Sequence, residues 1–262
     1  MTYESVLITG ASSGIGAEIA RQFSSSGVRV ILLARNEDKL TDLVNDIRAS
    51  GGEAHAYAVD VGVHEDVVEI ASQIKVDVGI PSVIINNAGG GKWRFIEETE
   101  YEEAVEMIKA PYLGAFFITK AFMPEMLERN SGHIVNVTSI AAITPFSGAT
   151  AYTASRKAML GFHEALSADL YGTGIRTSLA YFAKIESSFW ANNPGSEERI
   201  PASQKMIPVI SEQEAAKAIV NGVNQGKRVI TAPFMSKVVT ALNYLSPPIT
   251  RLIMNLTGYK RR

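Results

Sequence analysis

Short apolar runs alternate with longer amphipathic stretches along the whole 262-residue chain. Val6-Leu7-Ile8, Val30-Ile31-Leu32-Leu33, Val83-Ile84-Ile85 and Ile134-Val135-Asn136-Val137 are apolar on successive positions, as strands covered on both faces require. A weaker strand is expected at 54–59, and runs at 175–182 and 229–231 complete a sheet of about seven strands. Helical periodicity fills the intervals, at roughly 14–25, 38–49, 65–75, 100–126, 151–171 and 212–224. Strands and helices in regular alternation predict repeated βαβ units, hence an α/β fold with a doubly wound parallel sheet. No repeat or low-complexity linker divides the chain. One domain is expected over residues 1–232, with an apolar extension of the same domain at 233–262.

Composition narrows the function classes. Hydrophobic residues make up 46% and charged residues 20%, as in an ordinary soluble globular protein. A formal net charge of −2 gives no basic face for nucleic acid. Cysteine is absent, which excludes disulfides, thiolate metal sites and a cysteine nucleophile. The N-terminus Met1-Thr2-Tyr3-Glu4 runs into an apolar strand with no secretory signal pattern, so a cytoplasmic protein is expected. His55, His64, His133 and His163 show no metal-ligand spacing and are expected to be surface or packing residues.

The candidate chemistry sits at the ends of the strands. Gly10, Gly14 and Gly16, within Thr9-Gly10-Ala11-Ser12-Ser13-Gly14-Ile15-Gly16, follow the first strand and open the first helix. Glycine there permits a tight turn and lets backbone N–H groups approach a pyrophosphate at the positive helix end. At the end of the second strand, Ala34-Arg35-Asn36 has no acid to accept a ribose 2′-OH, whereas Arg35 suits the extra phosphate of NADP. NADP(H) is therefore favoured over NAD(H), against the alternative of Arg35 as a solvated strand end.

Together with Asn86-Asn87-Ala88-Gly89, and with Ser139 thirteen residues before Tyr152, this pattern resembles a classical short-chain dehydrogenase/reductase, with a Rossmann-like fold, from about residue 5 to about 231. The resemblance implies further roles. Ser12, Ser13 and Ile15 fall in the pyrophosphate turn, Asp60-Val61 resembles the adenine contact, and Asn87, Ala88 and Gly89 pass the cofactor ribose. Structural readings stand beside these, with Asp60 as a helix cap and the asparagines as hydrogen-bonded strand ends. The resemblance makes Tyr152 the general acid/base and Ser139 the holder of the reacting oxygen. It also places a substrate lid at about 188–210 and implies a homodimer or homotetramer.

Three positions depart from the family pattern. Arg156 stands one helical turn after Tyr152, where the family has a lysine that lowers the tyrosine's pKa and grips the nicotinamide ribose. A free phenol titrates at about 10, so some cation is needed there. Lys157 is not a substitute, because five residues of helix turn it about 140° away from the tyrosine. Arg156 supplies the charge but cannot deprotonate, and its planar fork is wider than an ammonium. Pro111 stands where the family carries a relay asparagine; proline offers no polar side chain and keeps the helix kinked. Phe182-Ala183 replaces a Pro-Gly pair ahead of Ile185 and Ser187, which fall at the nicotinamide carboxamide.

Phe189, Trp190, Met206 and Ile207, with Trp93, Phe95 and Phe146, suggest either an apolar pocket or the packing of the lid. The extension from Phe234 to Leu256 is interrupted by Lys237, Pro247-Pro248 and Arg251 and ends Lys260-Arg261-Arg262, a poor membrane span. Two amphipathic helices are expected, packing on the pocket or a second subunit; contact with an anionic membrane surface is the second reading. The expected function is NADP(H)-dependent interconversion of a carbonyl and an alcohol on a small apolar substrate by hydride transfer. The alternatives are a catalytically degenerate protein of the same fold acting as nucleotide sensor or scaffold, and a different reaction on the same scaffold.

Overall fold

The computed structural model describes residues 3–261. The strands are β1 (Ser5–Thr9), β2 (Arg29–Ala34), β3 (Ala54–Ala58), β4 (Val83–Asn86), β5 (Gly132–Ser139), β6 (Ile175–Phe182), β7 (Ile185–Glu186), β8 (Ile210–Ser211) and β9 (Val229–Ile230). The helices are α1 (Gly14–Ser24), α2 (Glu37–Ala49), α3 (His64–Asp77), α4 (Tyr101–Ile108) and α5 (Gly114–Glu128). They continue with α6 (Thr150–Asp169), α7 (Ser188–Asn192), α8 (Glu212–Asn224), α9 (Phe234–Leu245) and α10 (Pro247–Thr257). Seven strands form one sheet in the order β3-β2-β1-β4-β5-β6-β9, every neighbouring pair parallel.

The unbroken apolar runs become the central strands because helices cover both faces of the sheet. Val6, Ile8, Leu32 and Ile85 point into one core with Ile19 and Phe23 of α1 and Ile219 and Val223 of α8. Leu7, Ile31 and Ile84 point into the other, with Ile74 of α3 and Ile118 and Phe122 of α5. Chain order reverses between β1 and β4, which opens a crevice at their C-terminal ends. The expected architecture is met; β7 and β8 add a separate two-residue parallel pair that the sequence pattern did not reveal.

The expected continuous helix at 100–126 is divided. Lys109–Leu113 forms a π-helical segment between α4 and α5, centred on the buried Pro111. Proline cannot donate a helical hydrogen bond, and a wider local turn accommodates the loss. Gly114 follows because α5 passes close to the loop after β3: a Cβ there would lie 2.7 Å from Val61 Cγ2. Pro111 therefore lies in the segment that divides the helix and precedes the start of α5.

Buried polar groups tie the sheet to its helices. Asn86 Nδ2 donates to Asn136 Oδ1 at 2.8 Å and to Thr119 Oγ1 at 3.1 Å, joining β4, β5 and α5. Leaving such a group unpaired would cost about 1–3 kcal/mol, so the asparagine at the strand end is structurally specified. His163 lies 3.4 Å from Asn136 Nδ2, and burial pushes its pKa down to about 4. His133 sits between the Tyr3 hydroxyl (3.1 Å) and Ser178 Oγ (2.7 Å); burial, with Arg176 adding to it, pushes its pKa to about 4 as well. Both are packing residues, as expected, and no metal-binding cluster of side chains occurs among the described residues.

These two imidazoles make stability depend on pH. The unfolded chain binds protons at about pH 6.5 and the folded chain only near pH 4, so stability is full above the first value and falls between them. Each group costs at most about 3 kcal/mol at the acid end. The melting temperature is expected to drop steadily from pH 7 to pH 4, and His163→Gln should flatten that slope; a flat wild-type profile would show that the imidazoles titrate normally.

Candidate active site

The crevice between β1 and β4 leads into a cavity of about 960 Å3. At its first end the chain leaves β1 through Gly10, at φ +67°, and enters α1 through Gly14, at φ +60°. A Cβ on Gly10 would lie 2.9 Å from Ala88 Cα, and one on Gly16 would lie 2.3 Å from the Gly10 carbonyl oxygen. The first glycine thus serves the turn and the third serves helix-to-strand packing. Gly16 itself does not line the cavity. Gly10, Ser12, Ser13, Gly14 and Ile15 do line it.

The N-terminus of α1 is open, whereas α2 and α8 are capped. Asn36 Oδ1 accepts from Lys39 N at 2.8 Å, and Ser211 with Glu214 forms a reciprocal capping box. Ser13, by contrast, makes no side-chain cap, and the first turn of α1 holds no acid. Its free N–H groups and the helix dipole suit a phosphate. Arg35 is exposed at the end of β2 on the wall of the same cavity, beside Asn36. Asp60 and Val61 line it too, and Asp60 Oδ1 accepts from Gly62 N at 2.9 Å. Asp60 thereby closes a turn; α3 starts four residues later after Val63, so the helix-cap reading of Asp60 does not hold.

Asn87, Ala88 and Gly89 run along the floor. Asn87 Nδ2 donates to Thr9 O at 3.0 Å, and Thr9 Oγ1 accepts from Asn87 N and Ala88 N at 3.0 and 2.9 Å. The asparagine side chain is spent holding the ends of β1 and β4 together.

At the other end, Ser139 closes β5 and Tyr152 projects from the first turn of α6. Ser139 Oγ accepts from Ala141 N at 3.2 Å, which leaves its hydroxyl proton for an acceptor in the cavity. The Tyr152 ring is buried against Trp93 (centroids 5.5 Å apart) and Phe189 (6.2 Å). Arg156 lies below it, its guanidinium carbon 4.8 Å from the ring centroid. Arg156 Nη2 donates to the Gly90 carbonyl at 3.1 Å, while its Nε is buried without a partner. A side chain at Gly89 would meet both groups of the altered pair, Arg156 Nη1 at 2.8 Å and Pro111 Cβ at 3.2 Å. The wide guanidinium fits because Gly89 has no side chain. Lys157 is exposed on the far side of the helix, as its position in the turn requires.

The lid rises from Ile185 and Ser187, both on the cavity wall. Ser187 Oγ accepts from Phe189 N at 3.4 Å and caps α7, and Trp190 Nε1 donates to Ile185 O at 2.7 Å. Pairing of Ile185 with Ile210 and Glu186 with Ser211 pins both ends of the lid. Ala183 follows β6 without a positive φ, so the backbone needs no glycine there. Trp93, Phe146, Phe189 and Trp190 form the apolar wall. Three expected pocket residues lie elsewhere: Phe95 stacks with Arg199 and Arg261, Met206 is 79% exposed, and Ile207 is buried beside Ile140 and Tyr181. Met254 and Ile253 of α10 also pack into the Trp93–Tyr152 cluster, one of the two placements expected for the C-terminal helices.

Glu212 was missed by the sequence reading. Its carboxylate Oε1 lies 3.2 Å from where a Cβ on Gly14 would stand, and it lines the cavity beside the open end of α1. Burial raises its pKa, against a bond from the Ser188 backbone. Local sequence marks only a helix start there, because the preceding Ser211 and following Glu214 make the capping box.

The short chain dehydrogenase family model matches residues 4–197. Human 17-beta-hydroxysteroid dehydrogenase 13 is 31% identical over 255 residues, covering 96% of this chain and 82% of the human protein. A short-chain dehydrogenase/reductase from Burkholderia phymatum in complex with NAD superposes with a TM-score of 0.83 at 23% identity, over 95% of both chains. A metagenomic short-chain oxidoreductase in complex with NADP gives a TM-score of 0.71 at 29% identity, over 84% of this chain and 90% of that one. A parallel seven-stranded sheet, the glycine turn at its switch point and these likenesses agree: the chain belongs to the short-chain dehydrogenase family of oxidoreductases.

A carboxylate beside an anion site opposes a pyrophosphate. Glu212→Gln is therefore expected to tighten nicotinamide-dinucleotide binding by roughly 3- to 10-fold at pH 8, in a fluorescence titration. The gain should shrink as pH falls and the wild-type carboxyl protonates; weaker binding in the variant would show that Glu212 helps the ligand through the lid.

Proposed function

We propose that the protein is an NADP(H)-dependent oxidoreductase that interconverts a carbonyl and an alcohol on an apolar substrate. The observation that carries this reading is that Tyr152 and Ser139 line the same cavity as the open α1 turn and Arg35. The residues fit a dinucleotide: the glycine turn leaves the space a Cβ would fill, the first-turn N–H groups of α1 are uncapped, and Arg35 is exposed on the wall. Ser12, Ser13, Gly14 and Ile15 would hold its pyrophosphate, Asp60 and Val61 its adenine end, and Asn87, Ala88, Gly89, Ile185 and Ser187 its nicotinamide end. When bound, the cofactor supplies or accepts the hydride. Arg35 favours the 2′-phosphate form because a guanidinium forks onto phosphate oxygens; solved structures similar to this chain carry NADP in one case and NAD in another.

The chain's own groups handle the proton. Ser139 donates its hydroxyl proton to the reacting oxygen and fixes it beside Tyr152. Tyr152 exchanges a proton with that oxygen. Trp93, Phe146, Phe189 and Trp190 exclude water and select apolar substrates. Arg156 holds positive charge against the Tyr152 ring face and keeps the Gly89-Gly90 backbone in place through its bond to Gly90. A guanidinium cannot relay a proton as an ammonium can, so Arg156 acts on the phenol through its charge and position alone.

One observation favours a second reading. The guanidinium is already engaged by the Gly90 carbonyl and the Tyr152 ring, and Pro111 beside it carries no polar group. A nucleotide sensor that has lost turnover accounts for that arrangement.

Titration with NADPH and NADH separates these readings. Tighter binding of NADPH is expected, and Arg35→Asp should erase the preference by roughly 10-fold or more; an unchanged preference would remove Arg35 from the site. Tyr152→Phe should lower turnover of apolar ketones or alcohols by at least about 100-fold with nucleotide binding retained, and unchanged turnover would refute the assignment. A large gain from near zero in Arg156→Lys with Pro111→Asn would instead support the sensor.

A further inference from the structure

Charge is distributed unevenly along this chain. Residues 215–262 contain eight lysines and arginines and no aspartate or glutamate. The total of −2 less these eight positive charges leaves −10 on the residues before them. The same segment carries a series of exposed apolar residues. On α9, Phe234, Val238 and Leu242 recur at four-residue spacing and are 74%, 44% and 38% exposed. Leu245 ends that helix at 85% exposure, and Ile249, Leu252 and Leu256 of α10 are all more than half exposed. Lys237, Arg251 and Lys260 are exposed among them and make no ion pair with the described residues.

Each helix of the pair is two-faced. Ser236 of α9 and Thr250 and Met254 of α10 are buried, and Met254 with Ile253 packs on the Trp93–Tyr152 cluster. A second apolar stripe kept outward, beside the one buried against the body, marks an interaction site. A second copy meeting this face across a twofold axis would set two segments of the same positive sign against each other, with no carboxylate side chain in either to answer Arg251 and Lys237. An anionic lipid surface answers both properties at once. Neither helix is long and apolar enough to cross a membrane, so the contact is with its surface.

We propose that α9 and α10 form a docking surface for an anionic lipid bilayer. The exposed leucines, isoleucine and phenylalanine enter the headgroup–acyl boundary, and Lys237, Arg251 and Lys260 meet the lipid phosphates. Since the inner face of α10 is a wall of the aromatic cluster, the bilayer and the site lie on opposite sides of one helix. The bilayer would thereby lie close to the aromatic wall of the cavity that an apolar substrate enters. That last consequence rests on the oxidoreductase reading; the docking itself does not.

The test is flotation of the full-length protein, without nucleotide, on vesicles of phosphatidylcholine containing about one part in three of phosphatidylglycerol, compared with phosphatidylcholine alone. Partition onto the anionic vesicles is expected to be at least about 10-fold greater and to fall severalfold as salt rises from about 0.1 to 0.5 M. Leu252→Glu with Leu256→Glu should abolish it, and Lys237→Glu with Arg251→Glu should weaken it about 10-fold or more. Unchanged NADPH binding and melting temperature would show that both variants fold. Absence of flotation, equal binding to neutral vesicles, or a wild-type dimer that Leu252→Glu dissociates would overturn the proposal, the last by giving the face to a second copy. Failure of the oxidoreductase reading would show separately, as loss of turnover with vesicle binding intact.

Discussion

The joint between β1 and β4 is the constraint on which the rest of the molecule depends. Where chain order reverses, two neighbouring strands send their continuations to opposite faces, and their ends would splay without a tie. Thr9 and Asn87 supply it, exchanging a hydroxyl and an amide side chain across the gap. Gly10 and Gly16 allow α1 to sit directly on that knot, with no room for a methyl group. The open N-terminus of α1 is thereby held over the crevice, and the cavity walls are built outward from it. Loosening this joint would move the anion site, the floor at Asn87–Gly89 and the β4–β5 asparagine bridge together.

The catalytic end shows a second kind of dependence, between substitutions that compensate in space. Arg156 and Pro111 both approach the empty side of Gly89. An arginine at this place needs room, a carbonyl for its fork and a surface for its plane; Gly89, Gly90 and the Tyr152 ring provide them in turn. The buried, unpartnered Nε marks the point where the fit is incomplete. These two departures, separate along the chain, thus meet on one side of Gly89 beside the tyrosine.

Much of this was legible from residues alone. Unbroken Val/Ile/Leu runs declared β1, β2, β4 and β5 because a strand covered on both faces has no polar positions to lose. Glycine spacing declared the turn, because only glycine accepts positive φ and close backbone approach there. The spacing between Tyr152 and Arg156 declared a shared helix face, and the exposed Lys157 agrees with it. Less visible were Pro111's division of one helix into two, the β7–β8 pair, and the true positions of Phe95, Met206 and Ile207. An aromatic or aliphatic residue in a loop has no periodicity to say which of several clusters will bury it.

By itself, the sequence determined the architecture, the end of the sheet at which chemistry sits, and the residue types brought there. These follow from local rules: period, backbone permission at glycine and proline, and side-chain chemistry at fixed spacing. Only tertiary structure decided that Glu212 reaches the mouth of the anion site, that Met254 backs the aromatic wall, and that α9 and α10 keep an apolar face outward. Each joins segments far apart along the chain. Such contacts are selected by how whole elements pack, and a side chain's neighbours are then set by the sheet and helices that carry it.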